Sequence, residues 1–285
     1  MANTRELRRR IKSVTNTKQL TRAMKMVSAA KLRRAQERVL SARPYAHRMK
    51  QVLASVASRA GADAHPLLAV PDGKKIELVV VTSDKGLCGG FNTNMIKRAT
   101  RFLEEHSGES EELTLHCIGK KGRDYFRKRQ YSVRQESVDV FRNVNYDLAA
   151  GMARELMDRF IDKDLDAIYV VYNEFKSAIA QTVVVERLLP LERSEVQGMG
   201  ASQDYLYEPA AAELFAKLLP RHVEIQMFRI LLESSAAEHG ARMAAMDSAT
   251  RNAEEMIDDL TLYLNRVRQA GITREIIEVI SGASA

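Results

Sequence analysis

"SAAKLRRAQERVLSARPYAHRMKQVLASVASRA", residues 28–60, places Ser28, Leu32, Ala35, Val39, Ala42, Ala46, Met49, Leu53, Val56 and Ala60 at alternating steps of four and three. That rhythm, held for over four heptads, puts one apolar stripe along one side of a helix and marks a seam that faces another helix. The first sixty residues contain no Gly and a single Pro, Pro44. Because the stripe continues past Pro44, the proline is expected to kink the helix rather than end it. Upstream, Leu7, Ile11 and Val14 keep the pattern, and Leu20, Met24 and Val27 extend it in a shifted phase, as a stutter would.

The other end of the chain repeats the device. Leu232, Ala236, His239, Met243, Met246, Thr250, Ala253, Ile257, Leu260, Leu264, Val267 and Gly271 follow the same steps. Two long seams flanking one compact segment predict an antiparallel pair, with Ala35, Ala42, Ala46, Ala236 and Ala253 allowing close approach. The expected organisation is therefore a shaft helix over 1–60, an α/β domain over 70–208, and a shaft helix over 209–285 that pairs with the first.

Between the seams, strand-like and helix-like runs alternate. "KIELVVVTS", "LTLHCIG", a segment near 132–138, "LDAIYVVYNEF" and "SAIAQTVVVERLLP" read as strands, the last two close enough for a hairpin. "FNTNMIKRATRFLEEH", "KKGRDYFRKRQ" and "YDLAAGMARELMDRFIDK" read as helices. Such alternation implies a Rossmann-like α/β domain with a mostly parallel sheet. "LERSEVQGMGASQ" reads as a loop, and Pro209 suits the first turn of the last helix.

Charge is distributed unevenly. Residues 1–60 hold sixteen Lys and Arg against Glu6 and Glu37, a local net of +14 in a chain whose total is +7, which leaves −7 for the rest. An uncompensated basic arm calls for an acidic partner surface. Nucleic acid is a poor fit, because the charge is spread along a seam that must face a helix, and Tyr45 is the only aromatic of the arm.

No catalytic constellation stands out. "SDKGLCGGFN" occupies the place of a phosphate loop, but GxGxxG spacing needs Gly where Cys88 sits. Gly86, Gly89 and Gly90 read instead as a tight turn with positive φ. "GKKG" fails the P-loop pattern, having Thr114 and Lys121 at positions that require Gly and Ser or Thr. Cys88 and Cys117 lack metal-ligand spacing and read as reduced, buried thiols. Asp162, Asp164 and Asp166 read as a solvated turn. The residues describe an interaction or mechanical element. One end stays unexplained: "GITREIIEVISGASA", residues 271–285, is apolar and small where a terminus normally meets water.

Three stretches together resemble one family. "RELRRRIKSVTNTKQLTRAMKMVSAAKLRRAQ", "SDKGLCGGFN" and "ITREIIEVISGASA", with "DYLYEP" before the last helix, are similar to the gamma subunit of F-type ATP synthases, in order along essentially the whole chain. The resemblance implies a non-catalytic rotor subunit of the central stalk. Its coiled coil would turn inside a ring of three alpha and three beta subunits, and its foot would bind the epsilon subunit and the c-ring, with delta in the same complex. It would couple proton-driven c-ring rotation to the conformational cycle of beta, and the reverse during ATP hydrolysis. ATP, ADP and Mg would bind alpha and beta, leaving this chain without a cofactor or metal, and the membrane would be reached only through partners.

By the same resemblance, Met24 and Lys25 would face an acidic loop of beta. Arg268 and Gln269 would bond a beta catch loop, with Thr273 and Glu275 in the same signature. Ile276, Ile277 and Ile280 would form a bearing tip, and Tyr205 and Glu208 would lie near the c-ring or epsilon. The match starts near residue 4, so no transit peptide is expected, and the implied location is the cytoplasmic face of a bacterial inner membrane. "LERSEVQGMGASQ" has no Cys, so the thiol regulation of plant members is not expected.

Overall fold

The computed structural model describes residues 4–60, 65–69, 71, 74–108, 110–177, 180–191 and 210–283. The chain forms two compact units, Met1–Ala29 with Arg242–Ala285, and Ala30–Ala241. The two terminal helices, α1 (Thr4–Ala60) and the last helix (Ala211–Ala283), contribute to both.

The larger unit contains a five-stranded sheet. Its strands are β1 (Lys75–Val81), β2 (Glu112–Ile118), β3 (Val133–Ser137), β4 (Ala167–Phe175) and β5 (Gln181–Leu189), in the order β3-β2-β1-β4-β5. The first four are parallel, and β5 returns antiparallel beside β4, as the hairpin reading expects. Three helices connect them: α2 (Phe91–His106), α3 (Lys120–Lys128) and α4 (Tyr146–Ile161). The central strand β1 is buried from Ile76 to Val81, which is why its sequence is a near-continuous apolar run. Ile76, Leu78 and Val80 pack with Met95, Phe102 and Phe126 of α2 and α3.

The one charge in that strand, Glu77, is fully buried and pairs with Arg159 of α4. Thr114 contacts the same carboxylate. Burial pushes the Glu77 carboxyl up, and the Arg159 guanidinium opposes that push. Asp166 is more than a solvated turn. Its Oδ2 accepts the backbone N–H groups of Lys74 and Lys75 at 2.9 and 3.0 Å, tying the start of β1 to the start of β4.

The last helix, α5 (Ala211–Ala283), runs through Pro220, and α1 runs through Pro44. Pro44 lies on an exposed face, so its missing N–H leaves no buried group unmatched. In the larger unit Leu32, Ala35, Val39, Met49, Leu53 and Val56 are buried, as the heptad reading requires. α5 is buried there well beyond a single seam, at Leu219, Val223, Met227, Ile230, Leu231, Leu232, Ala236 and Ala237. A helix buried on several sides loses the polar face that makes a seam visible in sequence.

In the smaller unit the two helices pair antiparallel. Lys18 Nζ meets Glu254 Oε1 at 3.0 Å, Thr250 Oγ1 donates to Thr21 Oγ1 at 2.8 Å, and Lys25 pairs with Asp247. These contacts correct the expected stutter. The inward positions of α1 are Leu7, Ile11, Val14, Lys18, Thr21, Lys25 and Ser28, an unbroken four-three series, whereas Leu20 is 62% exposed and Val27 56% exposed. Lys18, Thr21 and Lys25 hold seam positions because each finds a polar partner across the interface. A count restricted to apolar residues passes over them and lands on their neighbours. On α5, Met246 and Ala253 are buried, and Met243, Thr250, Ile257, Leu260, Leu264 and Val267 are half-buried. Gly271, the last expected seam position, is exposed.

Candidate functional site

In open α/β sheets ligands bind beyond the carboxyl ends of the strands, where the strand order reverses. That region is filled here by the chain's own groups. Asp84, after β1, accepts the backbone N–H groups of Lys120, the first residue of α3, and of Asp139, both at 3.1 Å. A carboxylate thus sits on the helix N-terminus where a nucleotide phosphate would otherwise be held. Lys120 Nζ is engaged by Asp139 Oδ2 at 2.9 Å. Asn92 bonds the Ser83 backbone N–H at 3.0 Å and its hydroxyl at 2.8 Å, closing the "SDKGLCGGFN" loop on itself.

The loop's positive-φ residues are Leu87 and Gly89, not Gly86 or Gly90. Gly90 has φ −77° and caps α2. Gly119 matters more, with φ +92° and the Thr82 carbonyl oxygen only 2.1 Å from where a Cβ would lie. Cys88 and Cys117 are reduced and buried, and burial pushes the Cys117 thiol up to about 12.

The notable polar chemistry lies where α5 meets the sheet and α4. Arg229 on α5 donates from Nη2 to both oxygens of Glu186 on β5, at 2.7 and 2.8 Å, and from Nη1 to the Tyr172 hydroxyl of β4 at 3.0 Å. Tyr172 donates in turn to Glu186 at 2.7 Å, and Gln226 accepts from Arg229 Nε at 2.7 Å. One turn earlier, the buried Glu224 accepts from the Tyr146 hydroxyl at 2.5 Å and from Arg154 Nε at 2.6 Å, both on α4. Two charge-assisted clusters therefore fix the orientation of α5 on the α/β layer. Sequence reading did not find them, because their members are separated by 43 to 78 positions and match no motif.

The residues implied by the family resemblance occupy distinct settings. Met24 and Lys25 are half-buried on α1, and the Lys25 ammonium is held by Asp247. Arg251 also contacts Asp247, at 3.4 Å, and the Lys25 hydrogen bond holds the Asp247 carboxyl below its usual range. Arg268, Gln269, Thr273 and Glu275 are all exposed, and the Thr273 hydroxyl donates to the Gln269 carbonyl at 3.0 Å. The register set by Lys18, Thr21 and Lys25 brings Thr4 level with Arg268, so α5 continues beyond the described start of α1. Along that continuation Ile272, Ile276, Ile277 and Ile280 are exposed, as is Val279 at 71%. Tyr205 and Glu208 lie outside the described residues, as does most of "LERSEVQGMGASQ". No described helix is long and apolar enough to cross a membrane.

Comparison with known proteins gives one consistent result. A family described as ATP synthase matches residues 3–285. The chain is 52% identical to the ATP synthase gamma chain of Anaeromyxobacter sp. (strain Fw109-5), covering 100% of this chain and 99% of that one. It is 53% identical to the ATP synthase gamma chain of Solibacter usitatus (strain Ellin6076), covering 98% of each. Among solved structures it is similar to a chain of the Tetrahymena thermophila mitochondrial ATP synthase central stalk and c-ring, with a TM-score of 0.62 at 26% identity over 81% of this chain and 99% of that one. A chain of the Euglena gracilis mitochondrial ATP synthase rotor shares the fold, with a TM-score of 0.68 at 20% identity over 94% of this chain and 98% of that one.

Proposed function

The chain belongs to the ATP synthase gamma-chain family, a subunit of the central stalk, and from that premise we propose that it is the rotating link between a proton-driven c-ring and the catalytic beta subunits. The shaft turns inside a ring of three alpha and three beta subunits. Its rotation drives beta through its conformational cycle during synthesis, and ATP hydrolysis turns it in reverse. The α/β domain is the foot that meets epsilon and the c-ring, with Tyr205 and Glu208 on that side and delta elsewhere in the complex. The chain performs no chemistry itself, since ATP, ADP and Mg belong to alpha and beta. It works at the cytoplasmic face of a bacterial inner membrane and touches the membrane through its partners.

The observation that carries this reading is the exposed run of Ile272, Ile276, Ile277 and Val279 on a helix that outruns α1. Large apolar groups at successive turns of one helix are costly in water and call for a covering protein surface. A collar of partner subunits supplies that cover, and a run without strong polar anchors lets it slide. Arg268, Gln269, Thr273 and Glu275 lie immediately before or within this run, where they contact beta. Asp84 on the α3 N-terminus supports a foot that binds proteins rather than nucleotides.

A site-directed cross-link tests the proposal. Cys88 and Cys117 are buried, so a benzophenone maleimide placed on Ile276→Cys labels one position. Irradiation of the assembled complex is expected to join this chain to alpha or beta and to stop ATP-driven rotation. Capture of neither subunit in an assembled complex overturns the placement of the tip.

A further inference from the structure

Within the larger unit, α1, α4 and α5 enclose an apolar cleft of about 430 Å³, and a second cleft of about 180 Å³ adjoins it. The two share Arg38, Val144 and Leu232. The larger is walled by carbon: Val39, Ala42, Ala46, Ile225 and Phe228. The polar groups in its wall are satisfied internally, Tyr146 by Glu224 and Arg229 by Glu186 and Glu233. The smaller cleft has the opposite character. Lys31, Arg34, Arg38 and Arg142 line it and no acid does. Among the described residues, none of these four cations is in an ion pair.

We propose that this double cleft binds one long-chain carboxylate, a single-chain fatty acid, with its alkyl tail along Val39, Ala42 and Phe228 and its carboxylate among Lys31, Arg34, Arg38 and Arg142. The volume lies in the range of small-ligand pockets. It is far too small for a helix, which is 10–12 Å across with side chains. The division of the site into a dry wall and an uncompensated cationic corner matches an amphiphile with one anionic head. A nucleotide would find no polar partner for its base on the carbon wall. Arginine forks suit a carboxylate, which can accept two parallel N–H bonds.

Isothermal titration of the full-length chain with sodium dodecanoate, below its micellar range, tests this. Saturable one-to-one binding is expected. Shortening the probe to octanoate weakens it by about two orders of magnitude, since each methylene contributes about fourfold. Ala42→Trp, which fills the cleft, is expected to weaken binding at least tenfold. If that variant misfolds, Arg38→Glu with Arg142→Glu changes only exposed side chains and is expected to have the same effect with unchanged circular dichroism. Binding of many probe molecules, binding indifferent to these variants, or binding only to phosphatidylglycerol vesicles and not to dodecanoate overturns the proposal.

Discussion

Replacing Arg229 by Met removes the guanidinium that holds α5 to β4 and β5 while keeping an apolar stem of similar reach. The lost contacts are two short bonds to Glu186 and one to the Tyr172 hydroxyl. Breaking a fully buried pair costs about 3–5 kcal/mol, and an exposed pair contributes less than about 1 kcal/mol. The Arg229 and Glu186 side chains are 25% and 32% exposed, so solvent screens the pair in part and the expected loss is about 2–3 kcal/mol. Arg229 also opposes the burial that raises the Glu233 carboxyl. Without it that carboxyl rises further, and a raised carboxyl costs stability only once pH climbs past it. The deficit should therefore be largest near neutrality and shrink toward pH 5. The chain has no Trp, so urea unfolding is followed by far-UV circular dichroism. A double-mutant cycle with Glu186→Gln isolates the pair, with an expected coupling of about 2 kcal/mol. A loss below about 0.5 kcal/mol, or a fully additive cycle, refutes the reasoning and leaves α5 held by apolar packing alone.

Arg159→Met strands the Glu77 carboxylate inside the sheet, with an expected loss of about 3–5 kcal/mol near pH 7. The Glu77 carboxyl is already raised by burial, so the loss should diminish as pH falls and the group takes up its proton. Denaturant titrations at several pH values check both the size and the trend. Leu53→Ala, at a site 1% exposed, is expected to cost about 2–5 kcal/mol, whereas Leu260→Ala, half-buried on α5, should cost less than half as much. Equal losses at the two sites in the isolated chain would contradict that ranking of burial. Arg268→Ala and Gln269→Ala alter exposed side chains, so stability should change by no more than about 0.5 kcal/mol. ATP synthesis by membrane vesicles carrying the assembled complex should nevertheless fall, and unchanged synthesis with intact assembly counts against a contact with beta.

Local pattern was enough for the elements themselves. The four-three spacing in α1 and α5, the apolar runs of β1 and β4, and the amphipathic α2 and α4 are periodic signals that depend on which face of an element is buried. The resemblance in "SDKGLCGGFN" and "ITREIIEVISGASA" likewise needed only contiguous residues. The exposed terminal isoleucines were also readable, because an apolar run is legible whether or not a partner covers it.

Long-range pairing decided the rest. The stutter at Leu20 and Val27 vanished because Lys18, Thr21 and Lys25 are matched by Glu254, Thr250 and Asp247, more than two hundred positions away. A lysine in a seam looks like an error until its acid is found. Asp84 looked like a loop residue until the fold set it on the backbone of α3. Arg229 and Glu186 carry no motif, and only the packing of α5 on β5 makes them one group. Periodicity records the boundary between carbon and water, which each segment carries in its own sequence. A buried polar contact depends on two segments meeting, and tertiary structure alone brings them together.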